Sequence, residues 1–177
     1  MTEIILNAKQ FQDKVSKLAK EIFENNKNVA DLAIVGIQNK GVFLAKRIIF
    51  EIAKLANIKE SQIPFGTLDI TLYRDDLENF GSKMHTIKDT EIPFDMSRKN
   101  IVLIDDVLYT GRTVRAALDV LMSFGRPKSI SLAVLVDRGF RELPIEPNYV
   151  GVKHESQKFI KVSCKESDEV DEVKIEI

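Results

Sequence analysis

A near-continuous apolar run, IVLID at residues 101–105, most constrains the fold of this 177-residue chain. Such a run is typical of a strand that is buried on both faces of a parallel sheet. Similar runs occupy residues 32–37 and 129–137. The runs at 32–37 and 101–105 are each followed by a polar turn and a segment with helical spacing. Because strand, helix and strand recur in this order, the sequence predicts an α/β domain with a mostly parallel, twisted sheet flanked by helices.

The other segments are assigned from their hydrophobic periodicity. Helices are predicted after an N-cap at Asn7 and over residues 42–57 and 111–124. Further strands are predicted over residues 65–74, 148–152 and 159–164. Residues 75–95 are polar and without a lasting period, which indicates a long mobile loop or hairpin. The acidic tail, residues 165–177, is compatible with either an edge strand or a frayed end.

Composition narrows the classes of function. The chain is 44% hydrophobic and 30% charged with a net charge of −1, so no overall positive field favours nucleic acid. Its single cysteine, Cys164, excludes an internal disulfide framework and fits an inert thiol in a reducing compartment. The sequence shows neither a secretory signal nor an apolar stretch of membrane-spanning length. We therefore predict one cytoplasmic domain over residues 1–177, with no membrane partner.

Two adjacent acids, Asp105 and Asp106, end the central apolar run. In an open α/β sheet, ligands bind beyond the carboxyl ends of the strands, so both side chains are candidates for a binding site. Because successive strand side chains point to opposite faces, the two carboxylates are not expected to converge as a glycosidase-type acid pair. They could instead bind neighbouring hydroxyl groups of one ligand. A metal-binding acidic pair is the alternative.

The turn at residues 110–113, Thr-Gly-Arg-Thr, follows the acids where the next helix is predicted to begin. Free backbone N–H groups, the positive end of the helix dipole and two hydroxyl groups make this turn a candidate anion site. Gly111 would let the main chain approach the anion closely. A capped loop without a ligand is the alternative, but the acids and the turn together suit a sugar phosphate.

The stretch IVLIDDVLYTGRT, residues 101–113, resembles the substrate-binding motif of type I phosphoribosyltransferases, which use 5-phosphoribosyl 1-diphosphate (PRPP). Residues 66–77 and 125–145 resemble the pyrimidine-operon attenuation regulators of that family, which are bifunctional uracil phosphoribosyltransferases. The resemblance extends over roughly residues 30–151. It implies the type I fold with a mobile hood loop, and the formation of UMP and pyrophosphate from uracil and PRPP with Mg²⁺.

The resemblance also implies roles for particular residues. Asp105 and Asp106 would hold the ribose hydroxyls and, through the ribose, the Mg²⁺. The PRPP loop would comprise Asp105, Asp106, Val107, Leu108, Tyr109, Thr110, Gly111, Arg112 and Thr113, the last four binding the 5′-phosphate. The pyrophosphate loop would comprise Gln38, Asn39, Lys40 and Gly41, where the family more often has Thr-Arg-Gly. Arg74 would belong to the hood and act in catalysis.

Arg138 and Phe159 would contact the base by the same resemblance. Each of the less specific assignments has a simpler alternative. Lys40 could be a solvated turn lysine, Arg138 could form a salt bridge with Glu142 or Asp137, and Phe159 could belong to the core. A phosphoribosyltransferase that acts on a purine or another base is the corresponding alternative for the whole chain.

Members of the regulator subclass also bind a messenger-RNA leader through a basic surface that is shared between subunits, which implies a homodimer or a larger homo-oligomer. The candidates for RNA contact are Lys17, Lys20, Arg141 and Lys153. Asp13 and Glu24 fall among the lysines of the first helix, so that face is mixed in charge and weak RNA binding is expected. An RNA-binding regulator that only senses nucleotides is a further alternative.

Overall fold

The computed structural model describes residues 2–73 and 89–176. The strands are β1 (Thr2–Leu6), β2 (Leu32–Ile37), β3 (Phe65–Leu68), β4 (Asn100–Leu108), β5 (Ser129–Asp137), β6 (Tyr149–Lys153), β7 (Ile160–Ser163) and β8 (Glu172–Glu176). The helices are α1 (Ala8–Asn25), α2 (Lys40–Ala56), α3 (Arg112–Ser123) and the short α4 (Lys165–Asp168). None of these helices is long and apolar enough to cross a membrane.

Five strands form a parallel sheet in the order β3-β2-β4-β5-β6, which confirms the predicted architecture. Strand β4 is buried on both faces, as its apolar run predicts. Val102 and Ile104 pack in the same cluster as α1 and α2, whereas Ile101 and Leu103 pack with α3. Each Å² of apolar surface that is buried contributes about 25 cal/mol of stability. Burial on both faces of the sheet therefore holds it between α1 and α2 on one side and α3 on the other.

The first helix begins as its sequence predicts. The side chain of Asn7 accepts a hydrogen bond from the Gln10 N–H, and the Gln10 side chain accepts one from the Asn7 N–H, both at 3.0 Å. These bonds satisfy two of the backbone donors that a helix start leaves free. Helix α2 begins two residues before the predicted start, so Lys40 and Gly41 are its first residues.

The strand predicted at residues 65–74 ends at Leu68, and the prediction is wrong over residues 69–73. The carboxylate of Asp69 accepts hydrogen bonds from the N–H and the hydroxyl of Thr71, at 2.8 and 2.6 Å. This local bonding turns the chain into a single 3₁₀ turn at Thr71–Tyr73, because a short polar side chain competes with the strand ladder. Most of the predicted mobile loop at residues 75–95 lies outside the described part of the chain.

A second sheet, which the sequence analysis did not predict, has the order β1-β8-β7 and is antiparallel. Strand β8, from the ambiguous tail, is its central strand rather than an edge strand. Val173 and Ile175 alternate along β8 and are buried in the same cluster as α1 and α2. The two ends of the chain are thereby joined beside the parallel sheet.

Candidate active site

The candidate site lies where the strand order of the parallel sheet reverses, between β2 and β4, which is where α/β sheets of this topology bind ligands. The predicted pyrophosphate loop follows β2, and the predicted PRPP loop includes the end of β4. The contact between them is close at Gly41, where a Cβ atom would lie 2.4 Å from the carbonyl oxygen of Ile104 and 3.2 Å from Cα of Asp105. The structure therefore brings together two loops that are more than sixty residues apart in sequence.

The acidic pair lies inside β4, which continues to Leu108, rather than at the strand end. The regular alternation of faces breaks across the pair, since Val107 packs with the α1 and α2 cluster and Leu108 with the α3 cluster. One oxygen of Asp105 accepts from the Asp106 N–H, and one of Asp106 accepts from the Val107 N–H, both at 2.9 Å. Both carboxylates are thus held by backbone N–H groups at the break in the alternation. That they do not converge as a glycosidase-type pair stays a prediction.

Burial raises the pKa of Asp106 above its ordinary value, and the hydrogen bond with Asp105 and the backbone N–H of Val107 oppose that rise. The positive charge of Lys40 also opposes it. Asp105 is itself only 6% exposed. Two adjacent carboxyl groups, one buried and one half-buried, are suited to accept hydrogen bonds from neighbouring hydroxyls of a bound sugar.

The turn before α3, the predicted anion site, forms the start of that helix. Gly111 is the N-cap, with φ of 94°, and Arg112 is the first helical residue. The first turn of α3 carries no acidic side chain of its own that would oppose an anion at this positive helix end. A Cβ atom on Gly111 would meet Leu143 and Ile145 at an ordinary 3.4 Å. The positive φ favours glycine at this position. The close approach of an anion to Gly111 stays a prediction.

A segment after β5, residues 138–145, holds this turn in place. The carbonyl oxygen of Thr110 accepts from the N–H groups of Glu142 and Leu143, at 3.0 and 3.1 Å. The carboxylate of Glu142 also accepts from Nε of Arg112 at 2.7 Å. The backbone of the candidate phosphate loop is thus positioned by its neighbour as well as by its own sequence.

Arg141 belongs to the same support and not to an RNA-binding surface. Its guanidinium donates to the carbonyl oxygens of Ile145, Tyr109 and Gly139 and to the carboxylate of Asp137, the last at 2.7 Å. Its side chain is only 14% exposed. The predicted RNA contact of Arg141 is therefore not supported, because its donors already have internal acceptors.

Arg138 lies at the end of β5, where the base was predicted to bind. Its guanidinium donates to the carbonyl oxygens of Ser156 and Gln157, at 2.8 and 2.5 Å, and lies 3.8 Å from the ring centre of Tyr109. Burial lowers the pKa of Arg138. The alternative salt bridge to Asp137 or Glu142 is not formed, since those acids pair with Arg141 and Arg112.

Aromatic residues surround the same position. Phe140 meets the Tyr109 ring edge-on, with ring centres 6.5 Å apart, and is 46% exposed. Phe159, predicted as a stacking wall, is 55% exposed and does not belong to the core. Phe140 is not among the residues predicted for the site, although its position directly after Arg138 and Gly139 at a strand end is a signal for it.

Lys40 is not a solvated turn lysine. Its ammonium group donates to the hydroxyl of Ser167 at 2.5 Å and to the carboxylate of Asp168, both in α4. The peptide bond between Gln38 and Asn39, in the same loop, is cis. Cys164, next to α4, is fully buried, which raises the pKa of its thiol to about 11 and agrees with the inert role predicted for it.

The remaining predicted residues lie elsewhere. Lys17 donates to the carbonyl oxygen of Val150 at 3.0 Å, and Lys20 lies 3.9 Å from Glu24 across one helical turn. Lys153, at the end of β6, is exposed. Arg74, the predicted hood residue, lies outside the described residues.

Comparison with known proteins decides the family. A sequence model described as phosphoribosyl transferase domain matches residues 1–167. The chain belongs to the phosphoribosyltransferase family. Among the relatives of this phosphoribosyltransferase, the bifunctional protein PyrR of Endomicrobium trichonymphae is 72% identical over 98% of both chains. The bifunctional protein PyrR of Deinococcus deserti is 48% identical over 97% of this chain and 92% of its own.

Solved structures show the same fold at low identity. A hypoxanthine-guanine phosphoribosyltransferase from Bacillus anthracis superimposes with a TM-score of 0.71 at 18% identity, over 99% of this chain and 98% of its own. The hypoxanthine phosphoribosyltransferase of Trypanosoma cruzi gives 0.71 at 14% identity, over 98% and 95%. The predicted type I phosphoribosyltransferase fold is confirmed, as is the predicted membership of the bifunctional uracil phosphoribosyltransferases that regulate pyrimidine operons.

Proposed function

We propose that this phosphoribosyltransferase joins uracil to the phosphoribosyl group of PRPP in the crevice between β2 and β4. The observation that carries the proposal is the packing of Gly41 against the backbone of Ile104 and Asp105. PRPP has a ribose with a 5′-phosphate at one end and a diphosphate at the other. The loop that binds the 5′-phosphate and the loop that binds the diphosphate must therefore lie next to each other on either side of the ribose. Gly41 allows this, because a larger residue would push the two loops apart.

The residues of the crevice would act mainly by orientation and charge. Asp105 and Asp106 would accept hydrogen bonds from the two ribose hydroxyls and so fix the ring for attack at its anomeric carbon. The turn at residues 110–113 would hold the 5′-phosphate on backbone N–H groups at the start of α3. The start of α2, with Lys40, would stabilise the negative charge that develops on the leaving pyrophosphate.

The donor set fits Mg²⁺ that arrives with the substrate. Within residues 2–73 and 89–176, no three His, Cys, Asp or Glu side chains are grouped as a metal cage. Mg²⁺ commonly binds one or two carboxylates together with substrate phosphates and retains several waters. Asp105 and Asp106 are the residues that would hold it, through the ribose. When bound, the ion neutralises charge on the diphosphate oxygens.

The base would lie beside Tyr109, Arg138 and Phe140, at the carboxyl ends of β4 and β5. A screen of uracil, hypoxanthine, guanine and adenine with PRPP and Mg²⁺, following pyrophosphate release, tests the choice of base. We expect release with uracil and at least tenfold less with each purine. Comparable release with a purine would overturn the uracil assignment, and no release with any base would overturn the proposed activity.

A second function, RNA binding, is favoured by the relatives named as bifunctional proteins. We propose that Lys17, Lys20 and Lys153 contact RNA phosphates across a homodimer, and that both activities operate in a single cytoplasmic domain. Only a few contacts are expected, because Lys17 and Lys20 have acidic neighbours one turn away, at 3.7 and 3.9 Å.

The salt dependence of binding to a pyrimidine-operon leader RNA tests this second function. Each phosphate contact should contribute about −0.7 to −0.9 to the log–log slope of affinity against salt. Replacing the three lysines with alanine should lower the slope by about two units in all and leave uracil transfer unchanged. A slope that the triple substitution does not alter would place the RNA elsewhere.

A further inference from the structure

The acidic turn that connects β7 to β8, residues 164–171, binds two cations of α2. Asp168 and Ser167 accept hydrogen bonds from Lys40, as described above, and Arg47 pairs with Glu166 at 2.6 Å and with Asp171 at 2.8 Å. These partners are separated by more than 115 residues in sequence. The contact therefore joins the tail of the chain to the helix that carries the pyrophosphate loop.

Lys40 needs such a partner because of its place in the helix. It is the first residue of α2, where the helix dipole is positive and a cation is disfavoured. The first turn of α2 has no acidic side chain of its own. Asp168 supplies the missing negative charge, so the ammonium group of Lys40 is held at a defined position instead of turning outward into water.

Asp168 is itself firmly placed. Its carboxylate accepts from the Cys164 N–H at 3.1 Å and from the Ser167 hydroxyl at 2.8 Å. The side chains of Lys40 and Asp168 are only 21% and 26% exposed. Arg47 fixes the rest of the turn, since its bonds to Glu166 and Asp171 anchor the residues on both sides of Asp168.

The held ammonium group still acts on the acidic pair. The charge of Lys40 reaches Asp106 and opposes the rise of its pKa, and the charges of Lys40 and Asp106 both affect the thiol of Cys164. Geometry places Lys40 between these groups, since its neighbour Gly41 packs against the backbone of Ile104 and Asp105 and its own ammonium group meets Asp168. In the proposed function this is where the diphosphate of PRPP would join the ribose.

We propose that Asp168 is a positioning residue that holds Lys40 for contact with the diphosphate of PRPP. The inference rests on the proposed function, in which Lys40 belongs to the pyrophosphate loop. It adds a residue of the tail, far from the PRPP motif in sequence, to the determinants of diphosphate binding. Asp168 touches no substrate in this arrangement and acts only through Lys40.

Asp168→Asn is the test substitution, because asparagine has the same shape, keeps an oxygen acceptor for the Cys164 N–H and removes the negative charge that attracts Lys40. The KM for PRPP and the inhibition constant of pyrophosphate should each rise about fivefold, a modest effect because the pair is partly exposed. The KM for uracil should stay within twofold. If Asp168 had only a structural role, the substitution would lower the melting temperature without raising the KM for PRPP more than the KM for uracil.

A double-mutant cycle with Lys40→Met shows whether Asp168 acts through Lys40. In the Lys40→Met background, Asp168→Asn should cause no further rise in the KM for PRPP. Glu166→Gln is the matched control, since Glu166 lies in the same turn but pairs with Arg47 and not with Lys40. Arg47 would still hold the turn through Asp171, so the KM for PRPP should stay unchanged.

The outcomes separate the inference from the proposed function. If Lys40→Met raises the KM for PRPP and Asp168→Asn does not, the inference fails and the proposed function stands. Tighter pyrophosphate binding in Asp168→Asn would also overturn the inference, because Asp168 would then compete with the diphosphate for Lys40. Absence of PRPP-dependent transfer in the unaltered protein would instead overturn the proposed function.

Discussion

Replacing Gly41 by alanine should separate the two loops of the candidate site. The added Cβ would lie 2.4 Å from the carbonyl oxygen of Ile104. The oxygen is a backbone atom and the Cβ is bonded directly to the backbone, so a change of side-chain rotamer cannot relieve the clash. To reach ordinary contact, the start of α2 must move by about 1 Å relative to β4. Overpacking of this kind costs about 1–3 kcal/mol of stability.

The effect on catalysis should exceed the effect on stability. A shift of about 1 Å in a group that orients the substrate can lower the rate by about 100-fold. We therefore expect kcat/KM for PRPP to fall by roughly that factor, measured from initial rates of pyrophosphate release with varied PRPP at saturating uracil and Mg²⁺. The melting temperature of each variant should be recorded beside its rate.

Gly151→Ala is the matched control. Its Cβ would lie 2.5 Å from the carbonyl oxygen of Leu135, so it meets the same kind of obstacle, but between β5 and β6 instead of beside the acidic pair. It should cost similar stability and change kcat/KM for PRPP by less than tenfold. A Gly41→Ala enzyme within threefold of the unaltered one, or equal losses of activity in both variants, would refute the reasoning.

Three further predictions concern single sites. Asp106→Asn should lower kcat for uracil transfer at least 100-fold with the fold intact by circular dichroism, and near-normal turnover would remove Asp106 from the mechanism. Gly111→Val should weaken UMP binding, measured by calorimetry, more than Gly111→Asn, because the left-handed conformation costs an ordinary residue about 1–2 kcal/mol and asparagine less; equal losses would show that backbone conformation is not the cause. For Asp171, burial raises the pKa, but the bonds from Arg47 and the Lys165 N–H outweigh it and leave the pKa lowered. Its stabilising contribution is therefore complete above about pH 4 and lost as the pH falls through the folded-state pKa. Asp171→Asn should accordingly cost about 2 kcal/mol in urea unfolding at pH 7 and much less at pH 3, and a cost that does not change with pH would contradict this assignment.

Several features of the molecule were predictable from local sequence. The apolar run of β4 is a pattern along a single strand. The capping pair of Asn7 and Gln10 lies within the first turn of a helix. The turn around Gly111 is equally local, since its residues are contiguous and the helix that follows begins at the expected place. Such local preferences are realised in the structure because they agree with the packing of the whole fold.

Two features departed from what the pattern of apolar and charged residues predicted. Asp69 shortened a predicted strand through its own hydrogen bonds to Thr71, which is a local effect that the alternation of apolar residues concealed. Arg141 looked from the sequence like a surface cation, yet the segment after β5 folds so that four internal acceptors surround it. Composition and charge do not reveal the direction in which such a side chain points.

The sequence by itself therefore determined the α/β architecture, the acidic pair and the phosphate turn, because these depend on residues that are adjacent along the chain. Only the tertiary structure decided that the two chain ends form a second sheet, that Gly41 meets β4, and that Lys40 pairs with Asp168, 128 residues away. Whether these distant residues meet depends on how the helices and strands pack and on the register in which the strands pair. No local propensity contains that information.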